Sequence, residues 1–354
     1  MKKIILTGGG TAGHVTPHFA LLDYFKKEDI TLSYIGSKNG IEKELVTNQN
    51  IPYYGISSGK LRRYFDWKNF TDPFRIVAGF FQAAKHLHSE KPQLVFSKGG
   101  FVSVPVVLAA WFLRIPVISH ESDMTPGLAN KLTKPFVRKI LTTFEETLSY
   151  LPKDKGVYTG SPVRESLIDG NKENGYSLTG FTKEKPIIMM MGGSIGSVKI
   201  NSILRDSLPT LLNKFQIVHL CGKGNHDHSL DSLTNYKQYD FISSELKDLF
   251  AITDIMLSRA GSNAINEFLY LQIPSLLIPL SKNASRGDQI LNAEAFKKKG
   301  FSYVLEEEDL TRDALIEGLN EVYDHRESYL SAIQSAPGSC GALNVFNELM
   351  KLLN

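Results

Sequence analysis

Short apolar runs recur along the chain, each followed by small or polar residues and then by a stretch whose apolar positions return every three or four residues. Lys3-Ile4-Ile5-Leu6 leads into Gly8-Gly9-Gly10-Thr11-Ala12-Gly13, and Ile187 to Met191 leads into Gly192-Gly193-Ser194-Ile195-Gly196. Brief continuous apolar segments alternating with amphipathic ones predict buried parallel strands joined by helices on both faces of a sheet. The strands are expected at 3–7, 31–35, 93–97, 116–120 and 139–143 in the first half. In the second half they are expected at 187–191, 216–221, 239–242, 254–258, 275–279 and 302–305. Phe101 to Ile118, the longest oily piece, carries Pro105, Arg114 and Pro116 and reads as a buried helix feeding a strand.

The halves share a plan but no fixed-period repeat. Tyr158-Thr159-Gly160-Ser161-Pro162-Val163-Arg164, followed by a polar stretch through Gly180, marks a hinge by its glycine and proline. The expected division is 1–162 with 336–354, and 163–335. The last helical stretch, Ala342 to Leu353, is expected to return to the first domain. The fold class is α/β: two Rossmann-like domains with parallel sheets facing a cleft. A length of 354 residues suits two domains of ordinary size.

Composition narrows this only a little. The chain is 42% hydrophobic and 22% charged, which fits a globular protein, and its net charge of +3 excludes a general polyanion binder, so no nucleic-acid partner is expected. Cys221 and Cys340 have no metal-ligand spacing and are expected reduced and buried. Lys2 and Lys3 before an apolar run imitate a signal peptide, but glycines end the run too soon. No segment reaches the roughly 18 apolar residues of a membrane span. Attachment to a membrane surface stays open.

Open α/β sheets bind ligands beyond the C-terminal ends of their strands, so the loops there carry the candidate chemistry. Gly8-x-Gly10-x-x-Gly13 matches the dinucleotide fingerprint, yet the second strand ends Tyr34-Ile35-Gly36-Ser37-Lys38 without the acid that would hold a ribose. No lysine followed by serine or threonine closes the loop as in a P-loop, so it is read as a phosphate cup. His14, at the first turn of the following helix, is either a hydrogen-bonded helix-start histidine or a general base. Thr11 and Thr16 either cap the helix or touch ligand. Ser97-Lys98-Gly99-Gly100 is either a tight turn or a second anion site. His120-Glu121-Ser122-Asp123 is read first as a locally hydrogen-bonded His–Glu pair and second as catalytic.

In the second half, Ser194 is placed to donate to a phosphate. Arg259-Ala260-Gly261-Ser262-Asn263 opens the helix carrying Glu267, which is either a surface acid or an acceptor for ribose hydroxyls. Gln289, after Gly287-Asp288, suits sugar hydroxyls. No Asp-x-Asp occurs, so a metal-anchored nucleotide-sugar site is not expected and a helix N-terminus is left to neutralise a pyrophosphate. Residues 60–81 interleave Lys60, Arg62, Arg63 and Arg75 with Tyr64, Phe65, Trp67, Phe74, Phe80 and Phe81. That pattern describes equally a core helix after a basic loop and a membrane-interface segment drawn to anionic lipid.

Taken together, GGGTAGHVTP, SKGGFVSVP, HESDMTPGLAN, GSPVRE, GGSIGSVKIN, SRAGSNAINEF and GDQILNA, in this order and over essentially the whole chain, resemble the MurG family of N-acetylglucosaminyltransferases of peptidoglycan synthesis, in a Gram-positive-like version. The resemblance implies a GT-B architecture with no cofactor and no metal. UDP-GlcNAc would be held by the second domain. Lipid I, undecaprenyl-pyrophosphoryl-MurNAc-pentapeptide, would be held by the first. The 4-hydroxyl of MurNAc would displace UDP with inversion, giving lipid II for cell-wall biogenesis, cell shape and division. It places Thr11, Ala12, Gly13, Asp123, Arg164, Gly193, Ser194, Ile242, Ser262, Asn263, Glu267 and Gln289 at the donor, and the acceptor pyrophosphate at Gly10, Gly99 and Gly100. His14 would be the base.

The family commonly has His-Glu-Gln-Asn where this chain has His120-Glu121-Ser122-Asp123, and Gln-Gln where it has Asp288-Gln289. Amides inferred to contact the donor thus become carboxylates at Asp123 and Asp288. Backbone N–H groups after Gly192-Gly193, with Arg164, would stabilise the leaving β-phosphate. The implied setting is the cytoplasmic face of the cell membrane, held peripherally by anionic lipid, beside cell-wall synthesis machinery. Two rivals stand: a UDP-GlcNAc 2-epimerase on the same fold, and a non-catalytic nucleotide-sugar-binding subunit.

Overall fold

The computed structural model describes residues 2–59, 68–193, 196–282, 287–336 and 341–353. Ser194, Cys340 and the basic-aromatic stretch 60–67 lie outside them. The chain divides into two compact units, one of residues 1–164 with 339–354 and the other of 165–338.

The first unit is built on seven strands: β1 (Lys3–Thr7), β2 (Thr31–Ser37), β3 (Tyr53–Ile56), β4 (Leu94–Ser97), β5 (Val117–Glu121), β6 (Lys139–Thr142) and β7 (Gly156–Tyr158). All neighbours pair in parallel, in the order β3-β2-β1-β4-β5-β6-β7. The second unit has β8 (Ile187–Met191), β9 (Gln216–Leu220), β10 (Tyr236–Tyr239), β11 (Ile255–Ser258), β12 (Ser275–Leu277) and β13 (Ser302–Val304), ordered β10-β9-β8-β11-β12-β13 and again parallel. Each order is that of a doubly wound sheet, reversing direction between β1 and β4 and between β8 and β11. Such switch points leave a crevice at the strand ends. Helices cover both faces of the central strands, so every residue of β4, β5 and β9 is buried, including polar ones such as Ser97, His120, Glu121 and His219.

Three readings of the pattern need correction. β3 and β7 were not expected. Both are short edge strands, each with a glycine and half-exposed residues, so neither shows a continuous apolar run. β10 lies three residues before the expected 239–242, because Tyr236 and Gln238 turn inward in register with β9, whereas Phe241 is 73% exposed. The segment after Gly13 is not one helix: a 3-10 turn (Ala12–His14) precedes short helices Thr16–Phe19 and Leu22–Lys27. Pro17, which fits only the first turn of a helix, fixes the new start at Thr16.

The final helix, Gly341–Met350, returns to the first unit as expected. Ala342, Val345, Phe346 and Leu349 join the core with Ile4, Leu6, Phe25 and Phe96, and Asn344 donates to the Thr159 carbonyl at 3.1 Å. Helix Lys172–Thr179, capped by Asn171 and closed by left-handed Gly180, occupies the polar stretch read as a hinge. No helix among the described residues is long and apolar enough to cross a membrane.

Candidate functional site

At the switch point of the second unit, the turns after β8 and β11 enclose a cavity of about 480 Å³ lined by Gly192, Gly193, Ser197, Lys199, Arg259 and Gln289, among others. That volume suits a nucleotide-sized ligand. Helix Val198–Leu211 begins there, with Ser197 as its cap, and helix Ser262–Tyr270 begins at Gly261. Two helix N-termini bring their positive dipole ends to one space, which favours an anion. Gly196 must be glycine: its φ is +76°, and a Cβ would lie 2.0 Å from the Cys221 carbonyl oxygen.

Arg259 is the organiser of this cavity. It donates to Ser197 Oγ at 2.9 Å, to the Ile278 and Pro279 carbonyls at 3.3 Å, and to Glu307 in an ion pair. Glu307 also accepts from the Ser281 N–H at 3.0 Å, while Lys199 donates to the Glu307 carbonyl. Burial opposes ionisation of Glu307, but the hydrogen bonds of Arg259 and Ser281 and the charges of Arg259 and Lys199 hold its carboxyl below the ordinary range. Gln289 lines the cavity, with its Oε1 accepting from the Leu280 N–H at 3.0 Å.

Ser262, Asn263 and Glu267 lie on helix Ser262–Tyr270, whose start reaches the cavity through Gly261 and Ala264. Ile242 follows β10 beside exposed Phe241. Gly193, Ile242, Ser262, Asn263, Glu267 and Gln289 thus belong to the second unit, whereas Gly10, Thr11, Ala12, Gly13, His14, Gly99, Gly100, Asp123 and Arg164 belong to the first. Sequence reasoning named no role for Ser197, Lys199, Arg259 or Glu307. Arg259 carried a signal, its place directly after a strand, but Glu307 sits in a run of three glutamates that reads as solvated surface.

In the first unit the turns after β1 and β4 touch. Gly100 has φ +79°, and a Cβ there would stand 2.1 Å from the Gly9 carbonyl oxygen. Beneath the β1 turn lies Glu42, fully buried and absent from the sequence reading. Its carboxylate accepts from the Gly10 N–H at 3.3 Å, the Ser37 N–H at 3.0 Å and Ser37 Oγ at 2.5 Å. Tyr34 adds a bond to the Gly8 carbonyl at 2.9 Å. Above the turn, Thr11 Oγ1 and His14 Nδ1 share a hydrogen bond of 2.9 Å. His14 therefore has its ring oriented by Thr11, and it sits in a 3-10 turn rather than a helical first turn.

His120 and Glu121 do not form the expected pair, because successive strand residues face opposite sides of a sheet. His120 meets Lys98 Nζ at 2.7 Å and the Gly160 carbonyl at 3.3 Å. Glu121 accepts from Asn130 and the Gly127 N–H at 2.8 Å and from the Asp123 N–H at 3.1 Å. Burial pushes the Glu121 carboxyl up and His120 far down, so the histidine is neutral.

Among the described residues, His226, His228 and Asp231, and Cys221, His226 and Asp240, are close enough to share an ion. Asp231 is engaged by His226 at 2.6 Å and His228 at 3.0 Å, and none of the five lines the cavity. Cys221 is a buried free thiol.

Residues 4–142 match the N-terminal domain model of glycosyltransferase family 28, and residues 187–352 match its C-terminal domain model. The chain belongs to glycosyltransferase family 28. Within the family it is similar to a Bacillus thuringiensis protein named UDP-N-acetylglucosamine--N-acetylmuramyl-(pentapeptide) pyrophosphoryl-undecaprenol N-acetylglucosamine transferase 2, at 55% identity over 96% of each chain. A Clostridium tetani transferase of the same name without the number is 51% identical over 99% of this chain and 98% of its own. In fold, this family 28 chain resembles MurG of Acinetobacter baumannii, with a TM-score of 0.78 at 24% identity over 99% and 100% of the two chains. It also resembles a UDP-GlcNAc 2-epimerase from Neisseria meningitidis, with a TM-score of 0.68 at 16% identity over 100% and 99%.

Proposed function

We propose that this family 28 enzyme transfers GlcNAc from UDP-GlcNAc to the 4-hydroxyl of MurNAc in lipid I, releasing UDP and forming lipid II. The observation that carries this reading is the second-unit cavity, where two helix N-termini and Arg259 converge on a space of nucleotide size. The diphosphate rests at the N-termini of helices Val198–Leu211 and Ser262–Tyr270, and the leaving β-phosphate draws its stabilisation from them without a metal. Glu267 holds the ribose, Ile242 meets uracil and Gln289 reads the sugar. The acceptor diphosphate lies at Gly10, Gly99 and Gly100, and His14, aligned by Thr11, takes the proton of the attacking hydroxyl.

The relatives' names support transfer over epimerisation; the epimerase likeness is one of fold. The test is mass spectrometry of products from UDP-GlcNAc and a lipid I analogue. A disaccharide product and UDP released only with the acceptor are expected; UDP release without the acceptor, or UDP-ManNAc as the product, would reject transfer.

The enzyme works peripherally at the cytoplasmic membrane face. Phe74, Val77 and Phe81 project from helix Lys68–Glu90, with Phe74 77% exposed, and Trp111 and Phe112 project from helix Ser103–Phe112. Phe80 packs edge-on against both Phe81 and Phe112, joining the two helices' aromatic groups. Trp111, Arg114 and Arg138 line a neighbouring hollow. Aromatic bodies beside cationic heads suit the interface of an anionic bilayer.

A further inference from the structure

Lys98 follows β4 directly, is 1% exposed, and forms no ion pair among the described residues. Its Nζ lies 2.7 Å from His120 Nδ1 and 2.8 Å from Ser122 Oγ. An ammonium has no lone pair, so Nδ1 accepts and the ring proton stays on Nε2, directed at the Gly160 carbonyl. The third N–H has no partner among the described residues. Glu121 and Asp123 act on the ammonium only at a distance, and Glu121 is already committed to three donors.

Buried ammonium groups are ordinarily matched by a counter-charge, because leaving water is costly. Here, where two glycine turns meet, no carboxylate bonds the ammonium directly: Glu121 and Asp123 attract it from a distance, and the Glu42 carboxylate beneath the β1 turn is taken by Ser37 and the Gly10 N–H. Lys98 Cβ would lie 3.3 Å from a Cβ at Gly8, Gly99 and Gly100 follow it in sequence, and Gly100 abuts Gly9.

We propose that Lys98 supplies the buried positive charge of the acceptor site and that the acceptor's diphosphate is its missing counter-ion, an inference that rests on the transfer reaction proposed above. Lys98 is a positioning residue rather than a catalytic one. It is too enclosed to touch a phosphate, and acts through its field and through the turns it underlies. Burial lowers its pKa to about 7, with Glu121 and Asp123 pushing back, while neighbouring His18 and His120 stay neutral. His14, the remaining titratable group near His18, is at the turn above. A bound dianion favours the charged amine, so acceptor binding takes up a proton above neutrality and weakens as pH rises.

The experiment compares the full-length parent with Lys98→Met, which keeps the stem and removes the charge. Acceptor KM, kcat and UDP affinity are measured at pH 6.5 and 8.5, using UDP-GlcNAc and a lipid I analogue. Expected for Lys98→Met at pH 6.5 is an acceptor KM raised at least roughly tenfold, UDP affinity within about twofold of the parent, and loss of the parent's pH dependence of acceptor KM. An acceptor KM within about twofold of the parent, or equal weakening of UDP and acceptor, overturns the proposal.

A second measurement needs no variant. A short prenyl diphosphate lacking sugar is titrated into the parent at pH 7.5, in buffers of different ionisation enthalpy. Proton uptake together with competition against the acceptor supports the assignment, and binding without uptake, or no binding, overturns it. A parent that fails to transfer GlcNAc at all rejects the reaction itself, a result distinct from both.

Discussion

Replacing Arg259 by methionine removes the guanidinium that ties the β11 end to Ser197 and Glu307, and its consequences can be sized from the contacts it makes. Arg259 and Glu307 keep only 13% and 12% of their side-chain surface exposed. Removing one member leaves the other a nearly buried charge. Such losses run to about 3–5 kcal/mol, and the thin solvent edge here argues for the lower end, about 3 kcal/mol. For a unit of this size, that corresponds to a fall of about 6–12 °C in its melting temperature.

The variant also removes the one arginine lining the cavity among the described residues, so UDP affinity is expected to fall roughly 10–100-fold, the range for a lost hydrogen bond to a charged group. Calorimetry of the free protein and titration with UDP read the two effects separately. Because the Glu307 carboxyl is held below its ordinary range, its contribution is present above the unfolded value of about 4.3 and is lost as pH falls through the lower folded value. The melting gap between the parent and Glu307→Gln is therefore expected at pH 7 and should close on the acid side of pH 4.3. A melting temperature for Arg259→Met within about 2 °C of the parent would refute the argument that this pair is structurally coupled.

Three other outcomes follow from the same geometry. His14→Ala is expected to lower kcat by about 10²–10⁴-fold while leaving UDP affinity intact, and a kcat within a few-fold of the parent in a product-release-independent assay removes it as the base. Gly100→Ala places a Cβ against the Gly9 carbonyl at a left-handed φ, so about 1–3 kcal/mol of strain is expected, seen as a lower melting temperature and a raised acceptor KM; unchanged values would show that the two turns are not coupled. Arg114→Glu with Arg138→Glu is expected to reduce sedimentation with anionic but not neutral vesicles, and equal binding to both would count against this hollow as the membrane contact.

The central strands and their glycine turns were legible in the sequence because parallel strands covered on both faces are largely apolar, and the turns after them are small. β3, β7 and the true register of β10 were not, because an edge strand buries only part of itself and its pairing partner, not its own pattern, decides where it starts. Thr11, His14, Gly100 and Gln289 announced themselves by following strands. Glu42 and Glu307 did not, since a carboxylate on an early helix turn or in an acidic run looks like surface until the fold encloses it.

Lys98 did stand in a strand-end loop read as a candidate anion site, but its burial against His120 and Ser122 was not legible there. The chain by itself determined where backbone amides would be bared, because glycine and strand periodicity are local properties. Only the tertiary structure decided which charges stand behind those amides. That choice depends on which buried side chains meet at the switch points, and no local spacing encodes it.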